Sequence, residues 1–111
     1  MNIGIDIEEI DRFKKYAKDR VFLEKVFSKE ELKYSLSKKT AIQHLAARFA
    51  AKEAVWKALN RKDKKLLIKD ISIKNAKDSK PEIYIRNKKY KRIDISISHT
   101  KQYAAAAAIV F

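Results

Sequence analysis

Residues 48–59 read Arg48-Phe49-Ala50-Ala51-Lys52-Glu53-Ala54-Val55-Trp56-Lys57-Ala58-Leu59, and the fold turns on how this stretch is placed. At 100° per residue, Glu53 shares a helix face with Ile42, Ala46, Phe49 and Trp56. A carboxylate thus stands where a core residue belongs. Burying a charge is costly unless a cation lies beside it or its pKa rises, so the position points to a site. Lys57, four residues on, offers the ordinary explanation of an intrahelical ion pair. Exposed pairs of that kind occupy the polar face, whereas this one lies within or beside the apolar stripe, which favours a site.

The helix is the most secure element. It opens at Ser37 or Thr40 and ends near Leu59, with no Gly or Pro between. Upstream, Ile3, Ile5 and Ile7 alternate with Gly4, Asp6 and Glu8, which predicts a half-buried strand whose polar parity points to a second face. Gly4 is the only glycine of the chain, and its place in a strand predicts the close approach of another backbone or a ligand. Asp11 is placed to cap a helix with Phe13, Tyr16 and Ala17 facing inward, and Ser28-Lys29-Glu30-Glu31 fits a capping box for a short helix through Leu32 and Leu36. Past a basic turn at 61–65 the period changes to two. Ile71 and Ile73, Ile83 and Ile85, and Ile93, Ile95 and Ile97 predict three strands, with turns at Lys80-Pro81 and at 87–89. The implied meander is an antiparallel sheet. The run Ala104–Ala108 before Ile109, Val110 and Phe111 reads as a strand whose small residues let a helix pack closely, and His99 continues the parity of Ile93, Ile95 and Ile97 at the end of a buried face. The expectation is an α+β fold, a long helix packed on an antiparallel β-sheet, in one domain over residues 1–111.

Composition narrows the function. The 111 residues contain no Cys, which excludes disulfides, thiolate metal sites and Cys nucleophiles. The first residues are acidic where a secretory signal would be basic, and no apolar run is long enough to span a bilayer, so the expectation is a cytoplasmic protein without membrane insertion. A net charge of +13, from 27 basic and 14 acidic residues, calls for a polyanionic partner. The charge is also patterned. Residues 1–11 hold four acids and no base, whereas Arg12, Lys14, Lys15, Lys18, Arg20 and Lys25 follow as a basic docking face. No Gly-rich loop, Walker sequence, Ser-His-Asp arrangement or zinc spacing is present.

Asp6 on a strand and Glu53 on a helix are the acids expected to face inward. Two hard oxygen ligands without Cys or a His cluster suit Mg²⁺, which takes one or two carboxylates and completes its shell with water and substrate phosphate. Lys57 adds a point charge for the same phosphate.

Three blocks together resemble the holo-acyl-carrier-protein synthases, the short class of 4′-phosphopantetheinyl transferases. They are Gly4-Ile5-Asp6-Ile7 with Glu9 and Arg12, Arg48-Phe49-Ala50-Ala51-Lys52-Glu53-Ala54 with Lys57-Ala58, and Ser98-His99-Thr100-Lys101 with Tyr103-Ala104. Lys80-Pro81 matches a recurrent turn of that family. The resemblance implies transfer of the phosphopantetheine arm of coenzyme A to a serine of acyl carrier protein. It implies catalytic roles for Asp6, Glu53 and Lys57, with Asp6 and Glu53 binding Mg²⁺. It implies coenzyme A contacts from Arg48, Lys57, Lys80, Pro81, His99 and Thr100. Arg12, Lys14, Lys15, Lys18 and Arg20 then dock the acidic carrier protein, and a homotrimer with interfacial active sites is expected. One departure stands out: the family's Gly-Thr-Gly loop after Lys-Ala-Phe is replaced by Asn60-Arg61-Lys62-Asp63, which cannot make the same glycine-dependent turn. Arg61 and Lys62 are the candidates to replace its phosphate contacts by charge. The rival reading is a basic nucleic-acid-binding module without catalysis, motivated by the charge and by Tyr16, Tyr34 and Tyr90. It leaves Glu53 unexplained.

Overall fold

The computed structural model describes residues 1–75 and 80–111. Its elements are β1 (Asn2–Glu9), α1 (Arg12–Tyr16), α2 (Arg20–Val26), α3 (Lys29–Leu36), α4 (Ala41–Leu59), a 3₁₀ turn (Ile68–Asp70), β2 (Ile71–Asn75), β3 (Pro81–Ile85), β4 (Lys88–Lys89), β5 (Ile93–His99) and β6 (Tyr103–Val110). The long helix forms as expected, with Thr40 at its N-cap and Asn60 at its C-cap. Ala50, Ala51, Ala54, Val55 and Ala58 of α4 are buried against the strands. Small side chains let helix and sheet approach, and the partner strand β6 answers with Ala104, Ala106 and Ala108, all buried. Gly4 completes this interface: a Cβ there would stand 1.9 Å from the Ala54 carbonyl oxygen and 2.8 Å from the Ala58 nitrogen. The close approach expected at Gly4 is therefore to backbone.

Among the described residues, two antiparallel three-stranded sheets flank α4, in the orders β1-β6-β5 and β2-β3-β4. The single meander is corrected here. β5 pairs with β6, Ile97 opposite Ala106, and not with β3, whose partners are β2 and the two-residue β4. The short reversal at 100–102, where Thr100 Oγ1 accepts from the N–H groups of Gln102 and Tyr103, favours the local hairpin. Pro81, expected in a turn with Lys80, instead opens β3, and residues 76–79 lie outside the described residues.

The parity of β1 is also corrected. Ile3, Ile5 and Ile7 are 64–67% exposed, and Gly4, Asp6 and Glu8 face α4. Only the side bearing glycine can admit the helix backbone, so the bulky isoleucines turn outward. The helix expected after Asp11 is instead two: α1, which buries Phe13, and α2, capped by Asp19, whose side chain accepts from the Phe22 N–H at 3.1 Å. Asp11 makes no side-chain cap. The capping box of α3 forms as written, with Ser28 Oγ accepting from the Glu31 N–H and Glu31 Oε1 accepting from the Ser28 N–H.

Candidate active site

The inward parity of β1 carries Asp6 and Glu8 to the edge of α4 where Glu53 and Lys57 lie. Lys57 Nζ donates to the Ile5 carbonyl at 3.0 Å and to Asp6 Oδ1 at 3.2 Å. The intrahelical Glu53–Lys57 pair is thus replaced by a pair from helix to strand. Glu53 joins no ion pair among the described residues. It is half-buried, at the margin of the helix face that packs in the core, so the carboxylate is supported by apolar neighbours without being sealed among them. Asp6 Oδ2 is buried, and no N–H or hydroxyl group donates to it.

The electrostatics follow from crowding. Burial, then the Asp6 charge, raises the Glu53 pKa above its ordinary value, and Lys57 opposes the shift. Glu8 is pushed up to about 8 by burial, by a hydrogen bond its carboxyl shares with Asp6 and by the Asp6 charge, with Arg12 opposing the rise and Glu53 adding to it. Three carboxyl groups therefore share a region that one lysine and one arginine incompletely neutralise. Hard oxygens, mutual repulsion and a buried oxygen to which no N–H or hydroxyl group donates suit a small divalent cation. Among the described residues no cluster of three or more His, Cys, Asp or Glu side chains forms a ready-made metal cage. A cation held by Asp6 and Glu53 would leave positions open, the usual arrangement for Mg²⁺.

The remaining sequence-derived site residues fall in three other places. Arg48 is buried, with Nη1 donating to the Ile73 carbonyl at 3.0 Å and Nη2 to Asn75 Oδ1 at 2.6 Å, and it stacks over the Tyr34 ring at 5.1 Å. It lines a cavity of about 120 Å³ with Tyr34, His44, Asn75, Pro81 and Ile97. Arg48 and Pro81 are therefore brought together, while Lys80 at the entrance to β3 lies 3.7 Å from Asp94. His99 corrects the sequence reading: its strand parity holds, but at the end of β5 the ring is exposed and meets Gln43 at 3.1 Å. Through the shared neighbour Ala104, His99 and Glu8 lie two strands apart in register, about 10 Å. Thr100 is exposed and spends its hydroxyl on the β5–β6 turn. Arg12, Lys14, Lys15, Lys18 and Arg20 form an exposed basic flank, and Arg12 reaches back to within 4.0 Å of Glu8.

Sequence reasoning missed two acids. Glu8 shares the parity of Asp6, a signal that was present. Glu31 is fully buried, so Asp6 and Glu53 are not the only inward-facing acids. Glu31 Oε1 accepts from Lys52 Nζ at 2.7 Å and its Oε2 from the Ile73 N–H at 2.9 Å. The capping box announced the local role of Glu31, but its partner on α4 lies 21 residues away and carries no local mark.

Residues 2–108 match the family described as the 4′-phosphopantetheinyl transferase superfamily. A holo-(acyl-carrier-protein) synthase of Thermodesulfovibrio yellowstonii is 47% identical over 110 residues, covering 97% of this chain and 96% of that protein. One from Treponema denticola is 40% identical, with 99% and 97% covered. Among solved structures, the Helicobacter pylori holo-(acyl-carrier-protein) synthase in complex with coenzyme A superposes with a TM-score of 0.81 at 33% identity, covering 98% of this chain and 99% of that one.

Proposed function

The chain belongs to the 4′-phosphopantetheinyl transferase superfamily, and we propose that it transfers the 4′-phosphopantetheine arm of coenzyme A to a serine of an acidic acyl carrier protein. The observation that carries the mechanism is Asp6: a carboxylate with a buried oxygen to which no N–H or hydroxyl group donates, mounted on β1 and facing the helix that bears Glu53 and Lys57. Asp6 and Glu53 would hold Mg²⁺, which would supply positive charge for the diphosphate and for the leaving adenosine 3′,5′-bisphosphate.

Glu53 accepts the proton of the serine hydroxyl as the serine oxygen attacks phosphorus. Lys57 exchanges its contact with Asp6 for the substrate phosphates. Arg48 and Pro81, which line one cavity, bind coenzyme A together with Lys80, His99 and Thr100. Arg12, Lys14, Lys15, Lys18 and Arg20 dock the carrier protein by charge complementarity, which quickens encounter more than it deepens affinity. Arg12 links the docking flank to the acid cluster through Glu8.

The protein works as a homotrimer with interfacial active sites. Support comes from the outer face of the β1-β6-β5 sheet, where Ile3, Ile5, Ile7, Tyr103 and Ile109 are exposed together. A contiguous apolar face of this kind marks an interaction surface. Among the described residues no helix is long and apolar enough to cross a membrane, and the site of action is the cytoplasm. Residues 1–111 act as one domain.

The deciding experiment incubates apo acyl carrier protein with coenzyme A, Mg²⁺ and this protein and reads the intact mass. A phosphopantetheine adduct that disappears with EDTA supports the assignment. An unmodified carrier protein, with both partners folded, overturns it. Light scattering tests the trimer: a stable, active monomer rejects it, and Ile5→Lys is expected to shift the native protein toward monomer.

A further inference from the structure

A trough of about 620 Å³ lies between α2 and α3, away from the acid cluster. Its lining includes apolar Phe27, Leu32 and Leu36, and at its edges stand Arg20, Lys29, Lys33 and Lys69. Phe27 and Leu32 are buried, whereas Leu36 is 43% exposed, an uncovered apolar side chain at one end. Arg20 is already paired with Glu24 at 3.0 Å. Lys29, Lys33 and Lys69, like most of the exposed lysines, join no ion pair among the described residues, and Glu24 is the one acid of the lining. Three unneutralised ammonium groups therefore gather around one apolar concavity.

We infer that this trough binds a free amphipathic anion: a medium-length alkyl chain ending in a carboxylate or phosphate monoester. The volume falls within the range of small-molecule sites, and an apolar lining with a few converging charges is their usual construction. Lysine ammoniums are mobile point charges, suited to an anionic head group without imposing the planar fork geometry of arginine. The walls set the length. At about 1.5 Å per residue, the seven residues of α2 and the eight of α3 span roughly 10–12 Å, which fits a medium alkyl chain and not the successive turns of a docked amphipathic helix. Ser28 adds no free hydroxyl, since its Oγ is engaged with Ser72 and with the Glu31 N–H. The head group is consequently recognised by charge. The trough shares Arg20 with the basic docking flank and nothing with Asp6, Glu53 or Lys57, so binding needs no coenzyme A and stands apart from the transferase reading.

The test titrates decanoate, below its micelle concentration, into the uniformly ¹⁵N-labelled protein and follows amide shifts. Parallel arms use decanol and vesicles of phosphatidylcholine with phosphatidylglycerol. Saturable shifts confined to residues 20–36 and 67–70, weakened at least tenfold in Leu36→Asp, support the proposal. The Lys29→Glu, Lys33→Glu double variant should weaken decanoate tenfold and leave decanol unchanged. Leu36→Ser serves if Leu36→Asp does not fold. Non-saturable shifts, shifts spread over the outer sheet face, equal binding by the variants, or binding to vesicles alone would overturn it.

Discussion

On one side of α4, Lys52 meets Glu31 in a fully buried pair that also receives the N–H groups of Ser28 and Ile73. On the other side, the very next residue, Glu53, stands beside Asp6 and Glu8, with Lys57 bonded to Asp6 and no N–H or hydroxyl group donating to the second Asp6 oxygen. Burial of charge alone therefore does not distinguish a structural group from a functional one. The difference is charge balance: in the first arrangement one ammonium faces one carboxylate whose two oxygens both accept, and the second is short of positive charge. A closed network locks α3 and β2 onto the helix. An open one is fitted to receive a ligand.

The largest effect should come from opening the closed side. Lys52→Ala leaves Glu31 buried and uncompensated, and chemical denaturation should show a loss of about 3–5 kcal/mol. The paired change Glu31→Gln with Lys52→Met should recover much of that loss; failure to recover would mean that packing, not charge, is what Lys52 provides. On the open side the outcome should invert. Glu53→Gln should keep the fold by circular dichroism while turnover falls by roughly 100-fold or more, and retained turnover would remove Glu53 from the proton transfer.

Glu8 sharpens the contrast through pH. Its folded pKa of about 8 lies above the ordinary 4.5, so between these values the metal-free folded state holds more protons than the unfolded chain. The resulting stability is present below pH 4.5 and is lost as pH rises through about 8. Melting temperatures in EDTA should therefore fall over that window in the parent protein, and Glu8→Gln should flatten the fall. An unchanged slope would show that Glu8 already titrates normally. The smallest effect belongs to a pair that is neither sealed nor crowded: Lys89 and Glu82, at 2.6 Å but partly exposed. Lys89→Ala should cost less than about 1 kcal/mol, because solvent screens such a pair however short it is.

Much of this architecture was legible because the informative patterns are local. The helix interior free of Gly and Pro, the Ser28 capping box and the small-residue strand at Ala104–Ala108 all appear where their residues imply. The place of Glu53 beside the apolar stripe of α4 was legible too. The orientation of β1 was not, because alternation distinguishes two faces without saying which meets the helix; the steric demand at Gly4 reverses the ordinary hydrophobic choice. Strand partnership and the Glu31–Lys52 contact depend on residues distant in sequence, and neither leaves a periodic trace. The same limit explains His99, whose parity is local but whose exposure depends on where the core ends.

Gly4 has a mechanical consequence as well. With a backbone resting directly on a backbone, the gap between β1 and α4 is gauged by main-chain atoms, with no side chain available to act as a compressible shim. Asp6, two residues along the strand, and Glu53, beside Ala54 on the helix, are thereby mounted on opposite jaws of a caliper set to a single opening. Substitutions elsewhere in the core can soften the handle, but the opening changes only if the jaws themselves are rebuilt.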